Sequence, residues 1–257
     1  MQRCHVPPDR WQEAGIHPTA EQAHHLINVL RLKPGDRVVL FDGLGREVLA
    51  ELVHAEPAGS EVSGRQGLSI RFKPIEALPE RHEPALELML LQAIPKGSRM
   101  DWIVEKAVEL GARVIRPIIC ARGIVRPTDA AAKRERWQRV ASAAVRQCGS
   151  AWETDVRPLA PFRAALEDVR SIDLFLVASL EPDARTVRDA VAACAGRPGR
   201  VALLVGPEGD LTPEEYAGAR QAGGQPVTFG SRVLRVETAA LYGLAVLQHE
   251  LGHGLNR

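Results

Sequence analysis

Two stretches near the end of the chain place charged side chains in loops rich in glycine and proline. Leu203–Leu211 reads LLVGPEGDL, and Phe229–Leu241 reads FGSRVLRVETAAL. Each pattern predicts a short apolar strand that ends in a loop and continues into a helix, which is where open α/β sheets bind ligands. We therefore expect one ligand site, with walls that come from both loops.

The first loop, Gly206-Pro207-Glu208-Gly209, has the composition of a tight turn lined by backbone. Glycine lets a ligand approach the main chain closely, and proline stiffens the turn. The loop matches neither the G-x-G-x-x-G pattern nor a P-loop, which argues against dinucleotide and nucleoside triphosphate sites of those kinds. A turn that binds no ligand is the alternative that the spacing leaves open.

The second loop places Arg235 and Glu237 in otherwise apolar surroundings. Buried charges are usually paired, so a structural ion pair between these two side chains is the alternative to a ligand-binding role. Upstream, Lys96-Gly97-Ser98 opens a predicted helix with N–H groups that suit an anion. Ordinary capping by Ser98, with Asp101 three residues on, is the simpler interpretation.

A competing motif, His249-Glu250-Leu251-Gly252-His253, matches the H-E-x-x-H pattern of zinc proteases. A catalytic zinc needs a third protein ligand, which the protease pattern places downstream. The four residues after the motif offer neither a histidine nor a carboxylate side chain. We therefore expect no metal site.

Strands and helices alternate after residue 84, which predicts a mostly parallel sheet with helices on both faces. The predicted strands are Leu86–Ile94, Val114–Cys120, Leu174–Ala178, Val201–Val205 and Pro226–Phe229. The predicted helices start at Ser98, Thr128, Ala184, Thr212 and Glu237 and end near Gly111, Gln147, Cys194, Gly223 and Leu251. Thr212-Pro213-Glu214-Glu215 is a strong helix start because it combines an N-cap, an N1 proline and an N3 glutamate.

The first seventy residues instead predict a small β-barrel or sandwich. Its predicted strands are Val38–Phe41, Glu47–Val53 and Leu68–Phe72, and they follow a helix capped by Thr19. Three prolines among charges after residue 72 indicate a linker. We therefore expect a β-rich domain over residues 1–72, a linker over 73–84 and an α/β domain over 85–257.

Composition excludes several classes of protein. With 45% hydrophobic and 25% charged residues, the 257-residue chain can bury a sizeable core. It contains no apolar run of membrane-spanning length and no secretory leader, so we expect a cytoplasmic protein without membrane contact. The four cysteines form no C-x-x-C pair and are expected to be reduced thiols.

The formal net charge of +1 conceals a basic segment. Between Arg113 and Arg146 there are nine basic and two acidic residues. Such a local field suits a polyanionic partner such as nucleic acid. A solvated helix face is the alternative.

The two loops belong to a longer set of characteristic segments. The set is HLINVLRLKPGD at His25–Asp36, KGSRMDWIVEKAVELG at Lys96–Gly111, RWQRVASAAVRQCG at Arg136–Gly149, LVGPEG at Leu204–Gly209 and GSRVLRVETA at Gly230–Ala239. Together these segments resemble the RsmE-type ribosomal RNA uridine methyltransferases of the SPOUT superfamily.

The resemblance implies a PUA-like β-barrel that binds RNA and a C-terminal α/β domain tied in a deep trefoil knot. It implies S-adenosylmethionine as cofactor, small-subunit (16S) ribosomal RNA as partner, a homodimer and no metal. The implied reaction is methylation of a uridine at N3. A SPOUT ribose 2′-O-methyltransferase and a non-catalytic rRNA-binding assembly factor are the alternatives.

The resemblance also implies site residues. The cofactor-binding residues would be Ser179, Leu180, Val205, Gly206, Pro207, Glu208, Gly209, Gly230, Val233, Leu234, Arg235, Glu237 and Thr238. The RNA-binding residues would be His25, Arg31, Lys96, Arg122, Arg126, Arg136 and Arg146. Methylation at N3 requires loss of the N3 proton, so the catalytic candidates are Glu208 or Glu237 as proton acceptor and Arg235 as the cation that stabilises the uridine anion.

Three positions depart from the family pattern. Asp210 stands where a second glycine is usual, Val236 where threonine is usual, and Ser150 where arginine is usual. The change at Ser150 removes a candidate RNA contact and leaves the cofactor loops intact.

Overall fold

The structure is a computed structural model that describes residues 1–62, 65–79 and 86–252. The chain divides into two compact units. The first unit contains Met1–Glu83 and Val145–Glu153, and the second contains Pro84–Ala144 and Thr154–Arg257. The first unit thus includes a short segment from the part of the chain for which the sequence predicts an α/β domain.

The first unit is built on one six-stranded sheet. Its strands are β1 (Arg3–His5), β2 (Trp11–Gln12), β3 (Gly15–Ile16), β4 (Arg37–Phe41), β5 (Glu47–Val62) and β6 (Arg65–Ala77), in the spatial order β1-β4-β5-β6-β3-β2. Among the described strands of this sheet, only β1 and β4 pair in parallel. The three predicted strands are confirmed as β4, β5 and β6. Because β6 continues to Ala77, it includes the first part of the predicted linker, and residues 80–84 of that linker lie outside the described residues.

One helix packs against this sheet, and its start is the predicted one. In α1 (Ala20–His24), Thr19 accepts a hydrogen bond from the Gln22 N–H while the Gln22 side chain accepts from the Thr19 N–H. A π-type turn over His25–Val29 follows and buries Leu26 in the core of the sheet.

The second unit contains a parallel sheet, as predicted. Its strands are β7 (Glu87–Ala93), β8 (Ala112–Ile119), β9 (Asp155–Val156), β10 (Ala160–Pro161), β11 (Leu174–Ala178), β12 (Arg185–Thr186), β13 (Arg200–Val205) and β14 (Gln225–Thr228). The spatial order is β10-β8-β7-β13-β11-β14-β12, with β9 paired to β8, and all of these pairs are parallel. The carboxyl ends of β11, β13 and β14 therefore lie at the same edge.

Helices cover both faces of this sheet. They are α2 (Arg99–Glu109), α3 (Ala130–Cys148), α4 (Phe162–Ala165), α5 (Val187–Ala192), α6 (Pro213–Gln221) and α7 (Val236–Leu251). Phe162 of α4 and Tyr216 of α6 share a core with Leu204. The neighbouring Leu203 points to the opposite face, where a Cβ added to Gly243 of α7 would lie 2.5 Å from its Cδ2 atom.

Some helices of the second unit begin as the sequence predicts, and others do not. The capping box of Thr212 and Glu215 is confirmed. Ser98 is the N-cap residue of α2, as predicted, but its side chain makes no capping hydrogen bond. Asp129 rather than Thr128 caps α3, since its Oδ1 accepts the Ala132 N–H at 2.8 Å. The predicted helix over 184–194 is shorter, because Arg185–Thr186 instead pair with β14.

The four cysteines are free thiols, as predicted. Burial raises the pKa of Cys4 to about 11 and that of Cys120 to about 12. Neither thiol is therefore an effective nucleophile at neutral pH. Within the described ranges, no helix is long and apolar enough to span a membrane.

Candidate active site

A cavity of about 470 Å³ opens at the carboxyl ends of β11, β13 and β14. Three segments form most of its walls: residues 178–180 at the end of β11, the β13 loop (residues 206–211) and the β14 loop (residues 229–235). Ligand sites of α/β sheets lie at this edge, and the volume suits a small organic molecule. The two loops singled out in the sequence thus meet around one space.

Most of the residues predicted to bind a cofactor line this cavity. They are Ser179, Leu180, Val205, Gly206, Pro207, Glu208, Gly230, Val233, Leu234 and Arg235. Gly209, Glu237 and Thr238 do not line it. Lining residues outside the predicted cofactor-binding set include Arg99, Phe229 and Arg232.

Asp210 determines the shape of the β13 loop. Its φ of 61° lies in the left-handed region, which asparagine and aspartate tolerate better than other residues with a side chain. Its Oδ1 accepts hydrogen bonds at 2.8 Å from both the Leu211 N–H and the Tyr216 hydroxyl. Aspartate can therefore replace the glycine usual at this position, because its own side chain stabilises the turn.

Tyr216 connects two walls of the cavity through its hydroxyl group. Its hydroxyl contacts Ser179, after β11, as well as Asp210 in the β13 loop. Burial, together with the Asp210 carboxylate, raises the pKa of Tyr216 to about 12, although the contact with Ser179 lowers it. The phenol is therefore protonated at neutral pH and donates to Asp210.

The loop after β8 holds the β13 loop from outside. Arg122 Nη1 donates to the carbonyls of Gly209 at 3.2 Å and Leu211 at 3.1 Å. Glu215 accepts the Thr212 N–H at 3.0 Å through Oε2 and the Ala121 N–H at 2.7 Å through Oε1. One carboxylate thus caps α6 and ties it to the loop after β8.

Arg99, in the first turn of α2, is the residue that sequence reasoning missed. Its Nη1 lies 3.4 Å from Glu208 Oε1, and its Nε lies 3.6 Å from Glu237 Oε1. The ion pair considered between Arg235 and Glu237 is therefore wrong, because Arg99 is the partner of Glu237. Arg99 directly follows Lys96-Gly97-Ser98, whose loop signal is the sequence feature that points to this place.

The β14 loop is held by few side-chain contacts. The Gly230 N–H donates to Thr228 Oγ1 at 3.2 Å, and Gly230 has a φ of 108°. Val233 is 77% exposed, and Arg232 and Arg235 are also exposed. Neither arginine side chain has a hydrogen-bonding or ionic partner in the part of the chain that the structure describes.

The residues predicted to bind RNA have different surroundings. Arg126 donates to the carbonyls of Cys120 at 2.9 Å and Gly123 at 2.6 Å, so it braces its own loop. Arg136 pairs with Asp101. The Lys96 side chain is exposed, and its backbone N–H donates to Glu208 Oε1 at 3.1 Å.

The first unit holds the remaining predicted RNA contacts. The side chains of His25 and Arg31 are exposed there, and Arg31 adopts a left-handed φ of 56°. Arg146 is half-buried, and its charge lowers the pKa of Cys4 against the larger effect of burial. Ser150, where the resemblance predicts an arginine, accepts a hydrogen bond from Arg3 through its carbonyl at 3.0 Å.

The H-E-x-x-H motif lies at the end of α7. Glu250 pairs with Arg188 at 3.1 Å, and His253 lies outside the described residues. Among the described side chains, no group of three potential ligands is placed to hold a metal ion.

Comparison with known proteins determines the family. The model of the RNA methyltransferase domain matches residues 82–248, and that of the RNA methyltransferase PUA domain matches residues 18–60. Ribosomal RNA small subunit methyltransferase E of Synechocystis sp. is 30% identical and aligns over 95% of this chain and 76% of its own. The chain belongs to this methyltransferase E, or RsmE, family.

Other members of the RsmE family extend the similarity to nearly the full length. The Bacillus subtilis enzyme of the same name is 29% identical, with 90% of this chain and 89% of its own aligned. A crystal structure of the Neisseria gonorrhoeae enzyme, bound to S-adenosyl methionine, superposes with a TM-score of 0.78 at 31% identity. That superposition covers 96% of this chain and 97% of the other. The predicted fold class, a PUA-like domain followed by an α/β methyltransferase domain, is confirmed, while the trefoil knot stays a prediction.

Proposed function

We propose that this protein transfers a methyl group from S-adenosylmethionine to N3 of a uridine in small-subunit (16S) ribosomal RNA. The observation that carries the proposal is the cavity in which the loops after β11, β13 and β14 meet, in a chain of the RsmE family. The predicted trefoil knot of the methyltransferase domain forms part of the same proposal.

The cavity suits the cofactor in size and in chemistry. About 470 Å³ lies within the range of roughly 300–1,000 Å³ typical of small-molecule sites. Val205, Leu234 and Phe229 offer apolar surface for a base, and the glycines leave main-chain groups accessible. When bound, the cofactor supplies an electrophilic methyl group on a sulfonium.

The reaction also requires removal of the proton on uridine N3. Loss of this proton gives N3 the electron pair that forms the new bond, so the reaction calls for a base or for a cation that stabilises the developing anion. Glu208 lies at the cavity, and Glu237 lies behind Arg99. Arg235 lines the cavity without an ionic partner among the described residues, so it is available to stabilise the uridine anion.

We also propose that the enzyme works as a cytoplasmic homodimer. Trp102 on α2 and Tyr242 on α7 are 45% and 47% exposed, although large aromatic side chains usually avoid water. The two helices pack against each other, so these side chains belong to neighbouring surfaces. Sedimentation at micromolar concentration is expected to give a dimer for the parent chain and a monomer for a Trp102→Glu, Tyr242→Glu variant.

Isothermal titration with S-adenosylhomocysteine tests the cofactor site. We expect binding by the parent and no measurable binding by Gly206→Trp, because the indole would fill the cavity. Gly196→Trp is a matched control, since a Cβ at Gly196 meets no atom within 4 Å, its φ lies outside the left-handed region, and this glycine does not line the cavity. A parent chain that does not bind the ligand at millimolar concentration would contradict the proposed cofactor.

Mass spectrometry of nucleosides from rRNA incubated with the enzyme tests the reaction. We expect 3-methyluridine in 16S rRNA. A 2′-O-methyl nucleoside would identify the ribose methyltransferase, and unmodified rRNA that still binds the protein would identify an assembly factor.

A further inference from the structure

The Arg99 guanidinium contacts both Glu208 and Glu237, the two carboxylates that are candidates for accepting the uridine proton. Arg99 lies in α2, Glu208 in the β13 loop and Glu237 in the first turn of α7. Nη1 and Nε of the same planar group approach Glu208 at 3.4 Å and Glu237 at 3.6 Å. A lysine ammonium is a single point charge and cannot reproduce this fork.

The two carboxylates differ in access to the cavity. The Glu208 side chain is 33% exposed and lines the cavity. The Glu237 side chain is 14% exposed and does not line it, and its Oε2 is buried without a hydrogen-bond partner in the described ranges. A bound uridine can therefore reach Glu208 but not Glu237.

The donors around Glu208 leave one of its oxygens available. Oε1 receives the Lys96 N–H at 3.1 Å and the Arg99 side chain. These two contacts fix the orientation of the carboxylate. Oε2 has no hydrogen-bond donor among the described residues, so it remains free to accept a proton from a ligand.

We infer that Glu208 is the carboxylate that accepts the uridine proton, and that Arg99 and Glu237 are positioning residues that act through it. This ranking rests on the proposed function. The N3 proton passes to Glu208 Oε2 while the N3 electron pair forms the bond to the methyl carbon. The bond between that carbon and the donor sulfur breaks, and the sulfur keeps its electron pair.

The test compares Glu208→Gln, Arg99→Lys and Glu237→Gln with the parent chain. Steady-state kinetics on 16S rRNA give kcat and the KM for the methyl donor, and titration gives the affinity for S-adenosylhomocysteine. Lys106→Ala is the matched control, because Lys106 lies on the same helix and contacts two carboxylates, Glu105 and Glu109, at 2.8 and 2.7 Å. We expect this control to behave as the parent does.

Loss of a proton acceptor costs about 10²-fold or more in kcat, so Glu208→Gln is expected to show at least that loss. Arg99→Lys and Glu237→Gln are expected to lower kcat by about 10-fold, because they misplace Glu208 without removing it. All three variants should keep KM and S-adenosylhomocysteine affinity within about 3-fold of the parent values, since none removes the apolar walls of the site. Glu237→Asp, which keeps the charge, should recover part of the loss seen with Glu237→Gln.

Combining variants separates a positioning role from an independent one. If Glu237 acts only through Glu208, adding Glu237→Gln to Glu208→Gln produces no further loss of kcat. A further loss of about 10-fold would overturn the inference, as would a single Glu237→Gln variant as inactive as Glu208→Gln. If Glu237→Gln does not fold, the same double-variant comparison with Arg99→Lys decides the question.

Failure of the proposed function has a different result. A parent chain that binds S-adenosylhomocysteine but transfers no methyl group to uridine N3 would remove the function and the inference together. An active parent with additive variants would remove the inference alone.

Discussion

The β13 loop and the β14 loop face the same cavity but are held in different ways. In the β13 loop, Asp210 accepts a hydrogen bond from Tyr216 of α6. Arg122 of the loop after β8 donates to the Gly209 carbonyl, and Arg99 of α2 pairs with Glu208. The β14 loop has the local contact between Thr228 and Gly230 and the packing of the Phe229 ring against Tyr242 of α7, with centroids 5.3 Å apart, and it exposes Val233. One wall of the site is thus fixed by polar side-chain contacts from several elements, whereas beyond Phe229 the other wall has fewer such contacts among the described residues.

This difference predicts that one wall contributes to the stability of the fold and that the other determines ligand binding. A loop held by hydrogen bonds from several elements is ordered before a ligand binds, so binding loses little conformational entropy there. The β14 loop combines exposed apolar surface with arginines that have no ionic partner among the described residues. We therefore expect substitutions in the β13 loop to change the free energy of unfolding, and substitutions in the β14 loop to change binding.

The largest expected effect is that of Asp210→Val. A β-branched residue at a φ of 61° is strained, and valine also removes both hydrogen bonds that Oδ1 accepts. We expect the free energy of unfolding in urea to fall by about 3 kcal/mol. Asp210→Gly removes the same hydrogen bonds without strain and should lose only about 1 kcal/mol. Equal losses for the two variants would show that backbone conformation is not what Asp210 provides.

A smaller effect is expected for Tyr216→Phe. Loss of the hydrogen bond to Asp210 should lower the free energy of unfolding by about 1 kcal/mol at neutral pH. The folded-state pKa of Tyr216 is raised from 10 to about 12, so the unfolded chain loses its phenol proton first as pH rises. The parent chain therefore loses stability between pH 10 and 12, whereas phenylalanine contributes no such loss. Urea denaturation at pH 7 and pH 11 should show the difference between the two chains shrinking, and a constant difference would contradict this.

The smallest expected change in stability is that of Val233→Ser in the β14 loop. Because this side chain is 77% exposed, the free energy of unfolding should stay within about 0.5 kcal/mol of the parent value. Val233 lines the cavity, so S-adenosylhomocysteine affinity should fall about 3-fold as apolar contact is lost. Val29→Ser is the control, since Val29 is 59% exposed in the first unit. A destabilised Val233→Ser chain with unchanged affinity would reverse the proposed division between the loops.

The sequence predicts the parts of this fold that depend on local patterns. Apolar runs identify the central strands of the parallel sheet, and the Thr212-Pro213-Glu214-Glu215 start is found as expected. The two loops meet because parallel strands place their carboxyl ends at one edge. The helix predicted from Ala184 is shortened because pairing with β14 overrides local helix preference.

Contacts between distant segments could not be predicted in the same way. Arg99 reaches Glu208 and Glu237 only after three elements have come together, so no spacing in the sequence reveals the pairing. The apparent pair of Arg235 and Glu237, two residues apart, is misleading because successive positions at a helix start point in different directions. Asp210 shows the converse, since a departure from the family pattern is explained once its φ is known.

Glu215 caps α6 and also binds the loop after β8, so it connects segments that are synthesised at different times. The hydrogen bond from the Ala121 N–H to this carboxylate joins positions 94 residues apart. A ribosome adds about 5–20 residues per second, so Glu215 is synthesised roughly 5–20 seconds after the loop that follows β8. During that interval the nascent chain has no complete cavity wall, and the cofactor cannot stabilise it. The contact that joins the loop after β8 to α6 therefore forms only after Glu215 has been synthesised.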